Sequence, residues 1–305
     1  MRYSLVNRFR GAFLGAFLGE SVAKSQLADQ NTSYCDLGKL AVSGTESLIR
    51  FGRLDIHDWV ERQQLAGNHD DWGKIILATL PLCLFFHENP TQLKQNLQQV
   101  LKIWGQDHPA LQDAILAFGY AIAKSLTEQL SPHLLIPQII TFLDNRTNPI
   151  AQNLLKVNTL FEQSASLAIV QTQLNSSEQI STDFALAFYC FLSTLEDFQL
   201  AVLRASYSAE ENQTSFVKRE SIAAITGTLS GVYNSTAGMP INWQVLFSPK
   251  NSPAWGLNNF SQMLELSDAL VAVWSGVYEL SLNQNYTTTT GKPLSFAAPC
   301  VIRPR

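Results

Sequence analysis

Two stretches of this 305-residue chain carry a small residue at every fourth position: Gly11, Gly15 and Gly19 near the start, and Ala223, Gly227 and Gly231 in the last third. Residues four apart share one face of an α-helix, so each stretch predicts a helix with a stripe bare of side chains. Glycine in a helix interior is about 1 kcal/mol worse than alanine. Three on one face are sustained when another backbone approaches so closely that a side chain would prevent it. Such a chain must set helices against one another at short range.

The rest of the sequence agrees. Helical period recurs wherever a period can be read, and strand alternation does not persist beyond a few residues, so the expected fold class is all-α, a compact multi-helix domain. Helices are expected over 6–24, 37–51, 57–65, 72–86, 90–104, 109–128, 132–143, 148–174, 181–192, 195–207, 220–234, 241–246 and 260–282. Pro90, Pro109 and Pro132 stand at first-turn positions behind Asn89, His108 and Ser131, where a missing amide proton has no consequence. Ser181 and Thr194 each offer a capping hydroxyl just ahead of an acid, Asp183 and Asp197. Neither a fixed repeat nor a low-complexity linker divides the chain, which is read as one helical domain over 1–282 and an extended C-terminal tail over 283–305. The tail carries Phe296, Val301 and Ile302, apolar material that can dock on the body or on another chain.

Composition narrows the function classes. Hydrophobic residues make up 46% of the chain, which excludes disorder. Twenty-one basic against twenty-five acidic side chains give a net charge of -4, with no electrostatic footprint for nucleic acid. Charged residues are only 15% of the total, so much surface is either internal or covered by a protein partner or a second copy of the chain. Cys35, Cys83, Cys190 and Cys300 show no metal or disulfide spacing and fit a reducing cytoplasm. The apolar run 12–19 is short and is followed at once by Glu20, unlike a secretory leader, and no stretch reaches the ~18 apolar residues of a membrane span.

Four segments in order carry a family resemblance. They are 8–21 (RFRGAFLGAFLGES), 35–55 (CDLGKLAVSGTESLIRFGRLD), 79–90 (TLPLCLFFHENP) and 191–234, which together bracket most of residues 1–247. This arrangement resembles the ADP-ribosylglycohydrolase family, metal-dependent hydrolases that remove ADP-ribose from modified proteins. The resemblance implies an all-α fold, an ADP-ribose-like ligand and a binuclear magnesium site built from an early threonine and two aspartates and a late aspartate-rich motif. Hard oxygen ligands of this kind suit magnesium.

Position by position, the resemblance puts the early ligands on Cys35, Asp36 and Leu37, with the next threonine on Gly38. The late motif falls on Lys218, Arg219, Glu220 and Ser221, behind Phe216 and Val217, and the acid of the opening helix is Glu20. Asp36 is retained, Glu220 and Ser221 offer oxygen atoms, and Leu37 and Lys218 replace two carboxylates. A pocket of Asp36, Glu220 and Lys218 carries about one negative charge, too little for two dications. The expected reading is a family-fold protein with a degraded metal site and no cofactor, working as a binding, regulatory or scaffold protein. Lys218 is expected to occupy the vacated metal position, paired with Asp36 or Glu220. The alternative is an active magnesium-dependent ADP-ribosyl hydrolase with a single metal held by Asp36, Glu220 and Ser221, the first two acting as catalytic carboxylates. Independently of catalysis, Asp36 is expected to cap the helix that follows it, and Cys35 to be a small buried residue. His69, Asp70 and Asp71 form a polar knot ahead of Trp72, read as a helix N-terminus rather than a metal site. His57, His87, His108 and His133 fall at helix boundaries.

Overall fold

The computed structural model describes residues 3–25, 36–65, 71–103, 108–144, 148–174, 178–207, 216–246 and 255–277. Among these residues no strand occurs. In chain order the helices are α1 (Leu5–Ser25), α2 (Lys39–Phe51), α3 (Ile56–Leu65), α4 (Trp72–Ala78), α5 (Leu80–Phe85), α6 (Pro90–Ile103), α7 (Pro109–Leu126) and α8 (Pro132–Leu143). They continue as α9 (Pro149–Glu162), α10 (Leu167–Gln173), α11 (Gln179–Ser193), α12 (Phe198–Tyr207), α13 (Phe216–Asn234), α14 (Ile241–Leu246) and α15 (Phe260–Ser275).

The two glycine stripes face each other. A Cβ built on Gly11 would lie 2.2 Å from the carbonyl oxygen of Gly231, one on Gly15 2.1 Å from that of Gly227, and one on Gly19 2.1 Å from that of Ala223. Helices α1 and α13 therefore cross antiparallel, backbone on backbone, at the centre of the molecule. Every residue of α1 from Gly11 to Ala23 is buried, so this helix is core all round rather than amphipathic. The N-terminal end of α1 is tied by charge. Arg8, itself buried, donates to the Ser125 carbonyl at 2.5 Å and to Glu128 at 2.7 Å, and Arg10 forms a forked pair with Asp268 of α15. Helices α11, α12 and α15 pack around this pair, with α4 and α7 against α13.

Several expected helices are divided or shifted, each for a local reason. The 72–86 segment breaks at Thr79, because Pro81 has no amide proton for the Leu77 carbonyl. The 148–174 segment breaks after Glu162: Ser164 takes φ +50°, the Ala165 amide closes onto the Leu160 carbonyl, and Ser166 caps α10. Helix α15 stops at Ser275 rather than 282, because Gly276 adopts φ +85° and its amide and that of Val277 return to the Val273 and Ala272 carbonyls. Ser181 does not cap: α11 starts two residues earlier, and the Ser181 hydroxyl accepts from Asn153 inside the helix. Thr194 likewise donates back to the Cys190 carbonyl, and Asp197 caps α12 through the Leu200 amide. His87 is not a surface residue. It is buried between Phe9 and Trp274, with Nδ1 2.6 Å from the Leu84 carbonyl. Cys35, Cys300 and the tail 283–305 lie outside the described residues, whereas Cys83 and Cys190 are fully buried and burial pushes both thiols up to about 12, which makes them inert.

Candidate functional site

The register of the glycine stripes fixes what meets at the far end of the α1–α13 crossing. With Gly19 opposite Ala223, the next turn of α1 sets Lys24 beside the first turns of α13. The Lys24 ammonium lies 3.1 Å from Glu20 Oε1 and 3.6 Å from Glu220 Oε2, and both carboxylates are largely withdrawn from solvent. Glu20 is fully buried and fully used. Its Oε1 also accepts from the backbone amides of Asp36 at 2.9 Å and Leu37 at 3.3 Å, and its Oε2 accepts from the Trp255 indole at 2.6 Å.

This arrangement corrects the expectation for Asp36. The amides that open the α2 turn are met by Glu20, reaching over from α1, while the Asp36 carboxylate turns outward to Lys74 of α4 at 2.8 Å. Leu37 is buried, and Gly38 is the bare floor on which the Trp255 ring rests.

Helix α4 enters the cluster by its N-terminus. Asp71 caps it, accepting from the Gly73 amide at 2.8 Å and from the Ser221 hydroxyl of α13 at 3.3 Å. A Cβ on Gly73 would collide with the Ser221 side chain, so glycine there lets the two helix starts abut. The expected helix N-terminus ahead of Trp72 is thus present, and His69 and Asp70 lie outside the described residues.

Four carboxylates, Glu20, Asp36, Asp71 and Glu220, therefore surround two ammonium groups, Lys24 and Lys74. Burial dominates the titration of Glu20, Asp71 and Glu220. It pushes Glu220 up to about 7 against the pull of Lys24, with Glu20 and Asp71 adding repulsion. Burial also raises Glu20, against Lys24, the Trp255 indole and the Leu37 amide, and raises Asp71, against the Gly73 amide, Lys74 and Ser221.

Sequence comparison addresses the same region. Residues 22–279 match the family model for ADP-ribosylglycohydrolase. The chain belongs to the ADP-ribosylglycohydrolase family. No curated protein matches it in sequence. The family match begins inside α1, just after Glu20, and runs past residue 247, where recognisable motifs end, to four residues beyond α15.

The family's magnesium centre can be tested against the donors present. Among the described residues no three His, Cys, Asp or Glu side chains gather as a metal would require. Leu37 offers no donor, the Glu20 oxygens are taken, Asp36 is paired with Lys74, and Ser221 points to Asp71. Among the described residues this donor set does not fit a two-magnesium centre. The Lys218 side chain lies outside the described residues; among the described residues, Lys74 pairs with Asp36 and Lys24 with Glu220. Lys24 was legible in principle. It follows Glu20 at i+4 within the helix expected over 6–24, so the two side chains share a face. Trp255 left no such signal, because it reaches Glu20 from 235 positions away.

Proposed function

We propose that this chain is a member of the ADP-ribosylglycohydrolase family with a degraded metal site, which acts as a binding, regulatory or scaffold protein and not as a hydrolase. The observation that carries this reading is the Lys24 ammonium set between Glu20 and Glu220. A dication bound by either carboxylate would sit about 4 Å from that ammonium, and at an effective dielectric near 20 the repulsion is about 8 kcal/mol. Magnesium could enter only after the lysine left or lost its proton. Leu37, buried at a position where the resemblance expects a carboxylate, removes a donor that would have offset part of this repulsion. Binding to a partner is supported by the low charge content and by Ile241, Val245 and Leu246, which α14 holds exposed on the surface. Family membership suggests an ADP-ribose-like ligand.

The test is release of ADP-ribose from an ADP-ribosylated protein, with and without magnesium, alongside thermal unfolding with magnesium and ADP-ribose added singly and together. No metal-dependent release and no shift with magnesium alone are expected. An upward shift with ADP-ribose alone would identify a nucleotide-binding regulator, and its absence a scaffold. Metal-dependent turnover would overturn the reading and restore a single-metal hydrolase using Asp36 and Glu220.

A further inference from the structure

Trp255 takes no part in the charge pairing, yet it covers the most buried acid of the cluster. Its indole is almost fully buried, although it projects from a turn just ahead of α15 and not from a helix. Three features define its seat. The ring lies flat against bare backbone at Gly38, where a Cβ would come within 2.2–2.3 Å of three ring atoms. Phe17 meets it edge-on, with centroids 5.7 Å apart and an interplanar angle of 76°. Glu20 Oε2 accepts the indole N–H at 2.6 Å. A flat floor, an aromatic wall and one in-plane acceptor are the contacts by which a protein selects a planar ring that bears an N–H.

The turn itself does not favour this conformation. Trp255 has φ +56° and Gly256 φ +81°. A bulky aromatic residue in the left-handed region is disfavoured by its own Cβ, so the seat contacts and not the local backbone hold the residue there. Around Gly256 there is open space, since a Cβ there would meet nothing within 4 Å. The geometry is that of a knob on a turn, pressed into a seat against the turn's own preference.

We propose that Trp255 is a ligand built into the chain, a retractable plug whose indole occupies, between Gly38, Phe17 and Glu20, a seat for planar N–H-bearing heterocycles. External access to that seat then requires withdrawal of the 255–259 turn while the α1–α13 core stays folded.

Withdrawal is read in the wild-type chain without ligand, by hydrogen exchange of the Trp255 indole N–H under increasing sub-denaturing urea, with the buried Leu229 amide of α13 as reference. After correction for intrinsic rates, the indole proton is expected to exchange at least about 100-fold faster than the Leu229 amide, with little dependence on urea. Exchange at the Leu229 rate and with its urea slope would make Trp255 ordinary core and overturn the proposal. The chemistry of the seat is read with Trp255→Gly and 1 mM free indole. The variant's melting temperature is expected to rise by several degrees with indole, to rise less with benzothiophene, which lacks the N–H, and the wild type is expected not to respond. A folded variant that ignores indole, or responds equally to benzothiophene, would refute the seat; should the variant not fold, the exchange measurement decides alone. Neither measurement uses metal or ADP-ribose, so their failure is distinct from a failure of the hydrolase assay.

Discussion

Replacing Gly15 by alanine sets two effects of known sign against each other. As a helix-interior substitution it should stabilise by about 1 kcal/mol. At the crossing, however, the new methyl would lie 2.1 Å from the Gly227 carbonyl oxygen, 2.9 Å from its carbon and 3.2 Å from the Gly231 Cα, all backbone atoms that cannot rotate away. Relief to an ordinary separation needs α1 and α13 to part by about 1 Å, and a gap of that size forfeits a quarter to a half of each dispersion contact. With on the order of 40 carbon pairs across the crossing at ~0.1–0.2 kcal/mol each, the loss is about 1–4 kcal/mol, to which overpacking strain adds about 1–3. A net destabilisation of about 3 kcal/mol is expected for Gly15→Ala, read as a lower urea midpoint by far-UV circular dichroism. Gly119 in α7 is the control. A methyl there meets the ends of Leu97, Cys83 and Leu93 at 2.9, 3.2 and 3.6 Å, side chains that can yield, so Gly119→Ala should stay within about 1 kcal/mol of wild type. A Gly15→Ala protein as stable as wild type, or more so, would refute the backbone-on-backbone crossing.

Lys24→Met keeps the aliphatic stem and removes the ammonium, leaving Glu20 and Glu220 uncompensated. It should lower stability by about 3 kcal/mol at pH 8, less at pH 5, and move the Glu220 titration above about 7, which carboxyl NMR would follow. In the wild type, Glu220 holds a proton up to about 7 when folded, against an ordinary glutamate value of 4.5, so between these values the native state binds more protons and stability falls as pH rises. Partial exposure and coupling to Lys24 limit this fall to about 1–2 kcal/mol, and Glu220→Gln should remove it from the pH dependence of the urea midpoint. Asp71→Ala deletes the α4 cap and its bond to Ser221, with an expected loss of about 1–2 kcal/mol in the same assay.

The parts of the fold legible in sequence are those where one short-range rule decides. Glycine every fourth residue located the central crossing, and Pro90, Pro109 and Pro132 open helices α6, α7 and α8. Boundaries failed where tertiary contacts or turn geometry compete with period: the 148–174 pattern stays apolar across a break made by Ser164 and Ser166, and Gly276 ends α15 inside a run that still reads as helical. In the candidate site, the family motif located Asp36, Glu220 and Ser221 within one neighbourhood but gave neither their partners nor their orientation. Glu20, and not Asp36, meets the amides ahead of α2, those of Asp36 and Leu37, because α1 runs closer to the α2 start than any chain-local argument could indicate. Lys24 enters the site in the same way, through the α1–α13 register.

On the proposed reading, the Lys24 ammonium takes the place of a divalent ion between Glu20 and Glu220. Crystals soaked in manganese, a magnesium substitute with an anomalous signal, test it directly. The expected map shows no anomalous peak between the two carboxylates, with the Lys24 amine in density there. A peak at that position with an octahedral shell of oxygen ligands, and Lys24 displaced, would contradict it.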